Sequence, residues 1–342
     1  MRDTDSETHS QLRTGTELFK ATLPFTHESV GRSWWVVGST FLLLATSMFG
    51  AALAPFWPLR LVFSLLAALL LLRAFITYHD YMHNAILSGS RLAAWLFRLF
   101  SVISLTPPRY WRHSHNFHHG HVGNVDAAAT GAFTMMTTDM WRDASFMERL
   151  SYRVERHPLT IVTGYVTIFL FSITLLPFLR EPARYWDSMV VLFLHVALVA
   201  GLWMWGGFAA AFFTILLPVT IASMIGAYLF FAQHSYEHIR LLPADEWTSR
   251  RAALESSSYM KLNGVMRWFT GNIGYHHIHH LNVRIPFYRL PEAMDAIEEL
   301  QSPVTITLSL KDIRASFRCC LWDEGLQRMV SYREFARASA AA

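Results

Sequence analysis

Cysteine is nearly missing: the 342 residues hold two, Cys319 and Cys320, and these are neighbours. Adjacent thiols can build neither a disulfide framework nor a tetrahedral thiolate site, so a structural role suits them. Charge is scarce too. Only 16% of residues are Asp, Glu, Lys or Arg, against 53% hydrophobic, and a chain that apolar is first expected in a membrane. The net charge of +4 is too slight to suggest nucleic acid as a partner. No aromatic-basic groove pattern and no Gly-rich phosphate loop occurs. Residues 1–30 lack an apolar core behind Met1 and a small-residue cleavage site, which argues against a secretory signal peptide. No HExxH motif is present, so the usual zinc hydrolase arrangement is unsupported, and no internal repeat is evident.

Long apolar runs are what the chain has instead, at roughly 34–54, 56–75, 159–179, 188–205 and 208–232, each near the ~20 residues that span a bilayer. Arg60 and Arg73 in the second run are spaced so that both heads could snorkel toward opposite interfaces. Residues 92–105 are apolar but short, which fits an interfacial helix. Lys and Arg in residues 1–33 and the arginines of 80–158 place both segments on the cytoplasmic side, because the connection Pro55–Leu59 has none. Five crossings would put the later histidines on the wrong side. The link Arg180–Asp187 holds two arginines, whereas Trp203–Phe208 has no charge, so 159–179 is read as embedded without crossing. The expected fold class is therefore an all-α membrane protein. It has about four transmembrane helices in two hairpins, an embedded non-crossing helix, and a cytoplasmic helical cap from about residue 233. Residues 1–30 read as a polar cytoplasmic tail and 31–342 as one domain.

Histidine is abundant for so apolar a chain, at 17 residues. Only His9, His27, His157 and His195 stand outside four short clusters. The first cluster is His79-Asp80-Tyr81-Met82-His83, where a separation of four places both imidazoles on one helical face. In the second, after Pro107-Pro108, His115, His118 and His119 follow the spacing i, i+3, i+4. The third repeats it with His276, His279 and His280, and a fourth brings His234 just past the last apolar run. Imidazole suits iron, zinc and copper, and so many donors from four segments suffice for two metals. His113, His121, His238 and His277 fall outside the repeated spacing and read as surface or supporting residues. His195, inside an apolar run, reads as a neutral hydrogen-bonded histidine. Asp80, Asn116, Glu237 and Asn272 could hydrogen-bond imidazoles and fix their tautomers, or equally cap helices and meet solvent. Trp111 and Arg112 are expected to seat the second cluster at the interface.

Thiolate iron is excluded by the cysteine count, and haem would use paired histidines within the bilayer rather than beyond the helix ends. Non-haem iron with O2 remains, and a membrane setting implies an apolar substrate. In that order the boxes HxxxH, HxxHH and HxxHH resemble the membrane fatty acid desaturase family. The stretch WFTGNIGYHHIHHLNVRIPFYRL, Trp268 to Leu290, resembles its acyl-lipid branch, which includes Δ12 (omega-6) enzymes. The resemblance covers about residues 31–330. It implies that His79, His83, His115, His118, His119, His276, His279 and His280 ligate two Fe ions, with His234 as a ninth ligand. No catalytic residue beyond the ligands is singled out. It further implies O2 as co-substrate, a cis double bond as product, a membrane lipid acyl chain as substrate, and ferredoxin or a similar small electron carrier as donor. A diiron lipid or carotenoid hydroxylase would carry the same boxes and is the alternative.

Overall fold

The computed structural model describes residues 13–127 and 134–341. Arg2 and His9, in the polar segment, lie outside the described residues. From Arg13 onward that segment packs on the cap: α1 (Gly15–Thr22) buries Leu18 and Thr22, and Arg13 pairs with Glu299 at 2.8 Å. Among the described residues three helices are long and apolar enough to cross a membrane. The first two, α2 (Val30–Leu53) and α3 (Trp57–Met82), form a hairpin around Pro55. Arg60 closes it by donating from Nε to the Ala54 carbonyl at 2.8 Å.

The third apolar helix, Trp186–Gln233, has 48 residues and would be about 72 Å long if straight, more than twice the ~30 Å hydrocarbon core. Gly207 breaks it with φ 74° and ψ −179°, a conformation essentially confined to glycine. Both ends of the segment return to one helix, α5 (Pro108–His121): Asp187 accepts from the Arg109 backbone N–H at 3.0 Å, and His234 meets His118. The segment is thus a hairpin of two apolar arms.

α4 (Arg91–Ser104) precedes α5, and α6 (Phe146–Glu155) and α7 (Tyr165–Arg180) lie between α5 and this hairpin. The Ser90 side chain caps α4, which buries Ala93, Phe97 and Phe100 while exposing Leu92, Trp95 and Leu99, as an interfacial helix should. The apolar segment that ends in α7 begins after Arg156, which donates to Ser235 at 2.8 Å. It ends at Tyr185, whose ring meets Tyr110 of α5 edge-on at 5.2 Å. Entry and exit beside α5 accord with an embedded segment that does not cross. Residues Tyr165–Leu175 of α7 are wound as a π-helix, and a second π turn, Phe212–Leu216, joins α8 (Trp186–Ala211) to α9 (Leu217–Gln233). Pro177 and Pro218 follow these stretches within two residues. A proline ring displaces the carbonyl four residues back, and a local widening to π spacing relieves that clash.

Arg73 differs from its expected snorkelling position. It is buried, donates to Thr40 Oγ1 at 3.1 Å and to the Trp268 carbonyl, and lies 4.0 Å above the Trp268 ring. The loop before the third histidine cluster covers it, so its charge is met by carbonyl, hydroxyl and π-faces instead of water.

The cap was expected to be helical and carries two small sheets as well. Strand Met136–Thr137 pairs with Leu321–Asp323, which pairs antiparallel with Arg328–Val330; Tyr259–Met260 pairs with Thr305–Ile306. Cys319 and Cys320 are free and buried beside the first of these sheets.

Candidate metal centre

The histidine clusters meet where α3 and α9 end. Nine imidazoles gather in two groups, and within each the candidate ligand atoms lie within 4.8 Å of one another. One group holds His79, His83, His115, His119 and His279; the other holds His118, His234, His276 and His280. These are the nine residues picked out by spacing and resemblance.

Helical geometry explains the division. At 3.6 residues per turn, position i+4 lies about 40° to one side of position i, and i+3 about 60° to the other. In α5 the i, i+4 pair His115 and His119 therefore enters the first group while His118 turns to the second. In α10 (His276–Leu281) the pair His276 and His280 enters the second group and His279 crosses to the first. Each HxxHH box serves both groups, in complementary fashion.

Nitrogen spacing fits shared metals. His115 Nε2 and His119 Nε2 are 3.1 Å apart, as are His119 and His279; in the other group His234 is 3.1 Å from His118 and 2.9 Å from His276. Two nitrogens bonded at ~2.1 Å to one ion and at right angles would be about 3 Å apart. His83 Nε2 is buried without a hydrogen-bond partner among the described residues, an orphaned lone pair that an ion would satisfy. Burial, and then the proximity of other imidazoles, holds His115, His118, His119, His276, His279 and His280 well below the usual histidine range. Burial pushes His83 down to about 3, with Arg112 adding to the effect, and His234 down to about 4. The imidazoles are therefore neutral at pH 7, the form that ligates metal.

The surrounding residues divide unequally. Asp80 accepts from His79 Nδ1 at 3.0 Å, and its other oxygen accepts from the Phe287 backbone N–H at 2.6 Å. Asn272, with φ 55°, donates to the Phe287 carbonyl at 3.0 Å and so acts on that loop rather than on an imidazole. Asn116 is exposed and bonds no imidazole; Glu237 is exposed and faces Arg328 at 3.9 Å. His234 Nδ1 donates to the Ser256 carbonyl at 2.9 Å, a backbone partner that residue type could not announce. Trp111 stacks on His115 with ring centres 4.5 Å apart, a contact with the site itself. His277 instead meets the Leu300 carbonyl at 3.1 Å, outside both groups. His195 sits between Tyr165 Oη at 2.6 Å and the Val102 carbonyl at 2.8 Å.

A cavity of about 1160 Å³ leads to this centre. Leu72, Phe75, Val219 and Gly226 line its apolar part, and His79, His115, His118 and His276 line its end. Apolar walls closing on grouped imidazoles suit oxidation of a hydrocarbon.

Sequence comparison decides the family. Residues 55–307, most of the chain, match the model of the fatty acid desaturase family. The chain belongs to the fatty acid desaturase family. It is similar to a fatty acid desaturase of Bacillus subtilis (strain 168), with 34% identity over 282 residues, 80% of this chain and 78% of that one. It is also similar, at 23% identity over 288 residues, to the sn-1 oleoyl-lipid 12-desaturase of Synechocystis sp., covering 81% and 78%. A third relative, at 23% identity over 259 residues, is the sn-1 acyl-lipid omega-3 desaturase (ferredoxin) of Nostoc sp., covering 71% and 68%. As a family member the chain is a membrane oxidoreductase that desaturates fatty acyl chains, and the hydroxylase alternative gains no support from these relatives.

Proposed function

We propose that this desaturase acts on acyl chains carried by membrane lipids, holds one iron in each histidine group, draws electrons from a ferredoxin-type carrier, and keeps its centre on the cytoplasmic side. The observation that carries the reading is the apolar cavity ending at imidazoles of both groups. A lipid substrate and a ferredoxin donor are supported by the names of the acyl-lipid relatives. Arginine-rich connections on the side where α3 ends support a cytoplasmic centre.

Bound iron, with O2, two electrons and two protons, supplies the oxidation that converts two adjacent methylenes into an alkene and releases two waters. The chain's own residues position. Leu72, Phe75 and Gly226 hold the acyl chain dry and extended in the cavity, so that a fixed pair of carbons meets the centre. Asp80 fixes His79 with Nδ1 protonated, leaving Nε2 free to ligate, and the Ser256 carbonyl does the same for His234. Trp111 packs against His115 and limits its rotation.

Expression in a host lacking the activity, followed by fatty acid profiling, should show a new double bond in lipid-esterified chains. His118→Ala and His279→Ala, one from each group, should each abolish that product while the protein still inserts into membranes. Normal product from either variant would refute the ligand assignment.

A further inference from the structure

The long cavity has an opening that the metal centre does not account for. Several residues that line it are themselves open to the outside: Val154 of α6 is 55% exposed and Val166 of α7 is 54% exposed. The cavity therefore reaches the outer surface along α6 and α7. Its rim is apolar beyond the cavity as well. Phe146 (77% exposed), Met147, Leu150 and Val154 recur along one face of α6 at i, i+1, i+4 and i+8, a spacing that makes a single stripe. Leu159, Val162 and Phe171 add exposed apolar surface on the segment read above as embedded, as a stripe that meets lipid would need.

Charge at the rim is selective. Arg180, the last residue of α7, lines the cavity, is exposed, and has no ion-pair partner among the described residues. Its neighbours are committed elsewhere: Arg184 pairs with Glu181 at 3.1 Å, and Arg153 lies over Trp141 and Tyr332. The rim carboxylate of Glu155 accepts from Thr134 N and Oγ1 at 2.9 and 3.1 Å.

We infer that the gap between α6 and α7 is a lateral portal through which a glycerophospholipid offers its acyl chain directly from the bilayer, with Arg180 as the subsite for its headgroup phosphate. An apolar chain crosses the stripe without entering water, while the phosphate stays at the interface against Arg180, the rim guanidinium without an ion-pair partner among the described residues. This inference rests on the lipid-borne substrate reading above and adds which lipid class and which entrance.

The test uses the full-length enzyme in nanodiscs, with the same acyl chain carried either by phosphatidylglycerol or by an uncharged galactolipid. Arg180→Gln should lower the ratio of kcat/KM for the phospholipid over that for the galactolipid about fivefold, the value of one interfacial arginine, through KM. An unchanged ratio would overturn the phosphate subsite. Entry is read without turnover. Ser151→Cys, which places a thiol on the α6 wall of the cavity, is labelled with bimane and exposed to phospholipids brominated along the acyl chain; the native Cys319 and Cys320 are buried. Strong quenching supports the portal, and quenching no greater than with unbrominated lipid overturns it. If the wild type desaturates neither carrier, the substrate reading fails, and the quenching result still judges the portal.

Discussion

The five-imidazole group hangs from a membrane helix, whereas the four-imidazole group hangs from a short helix and a loop. In the first, His79 and His83 are fixed by the end of α3, and Asp80 beside them ties His79 to the loop after the third box through Phe287. In the second, His234 follows the last turn of α9 and is oriented by the Ser256 backbone, while His276 and His280 come from a six-residue helix. A side-chain carboxylate supports one group and a main-chain carbonyl the other. The first support can be removed by one substitution; the second can be lost only if the loop moves. Yet neither group is independent, because α5 and α10 each give imidazoles to both.

That contrast predicts graded responses. Asp80→Asn should have the largest effect short of removing a ligand, about 10–100-fold in activity. Metal analysis of the purified variant should show loss confined to the five-imidazole group, about one ion of two, and equal loss from both groups would break the distinction. Arg73→Met should act on both groups together. It frees the Trp268 carbonyl and the Thr40 hydroxyl beneath the third-box loop, at about 1–3 kcal/mol, so thermal stability and metal retention should fall in parallel. Metal lost from one group alone would show that the loop serves them unequally. Tyr165→Phe should touch neither group: His195 Nε2 loses its partner, so melting temperature falls while metal content stays at its wild-type value.

Much of this was legible in the sequence for physical reasons. Apolar runs of bilayer length mark α2, α3 and the arms of the hairpin, and uncharged WMWGGF marks the turn that Gly207 makes. Spacing at i, i+3, i+4 marks the boxes, and even the division between groups is contained in the 40° and 60° offsets of those positions. Less legible were contacts that depend on chain return. Asn116 and Glu237 have the chemistry to orient an imidazole but stand exposed, while Ser256 does so through its backbone. Arg73 showed itself as a charge in an apolar run, but only the tertiary fold reveals that Trp268 covers it. The small sheets of the cap, with strands of two or three residues, are too short to leave an alternating pattern.

The most direct test is the metal inventory of the purified protein after anaerobic reconstitution with ferrous iron, read by elemental analysis and Mössbauer spectroscopy. The account predicts two irons per chain in two unequal nitrogen-rich environments. One iron per chain, or zinc retained in preference to iron, would contradict it.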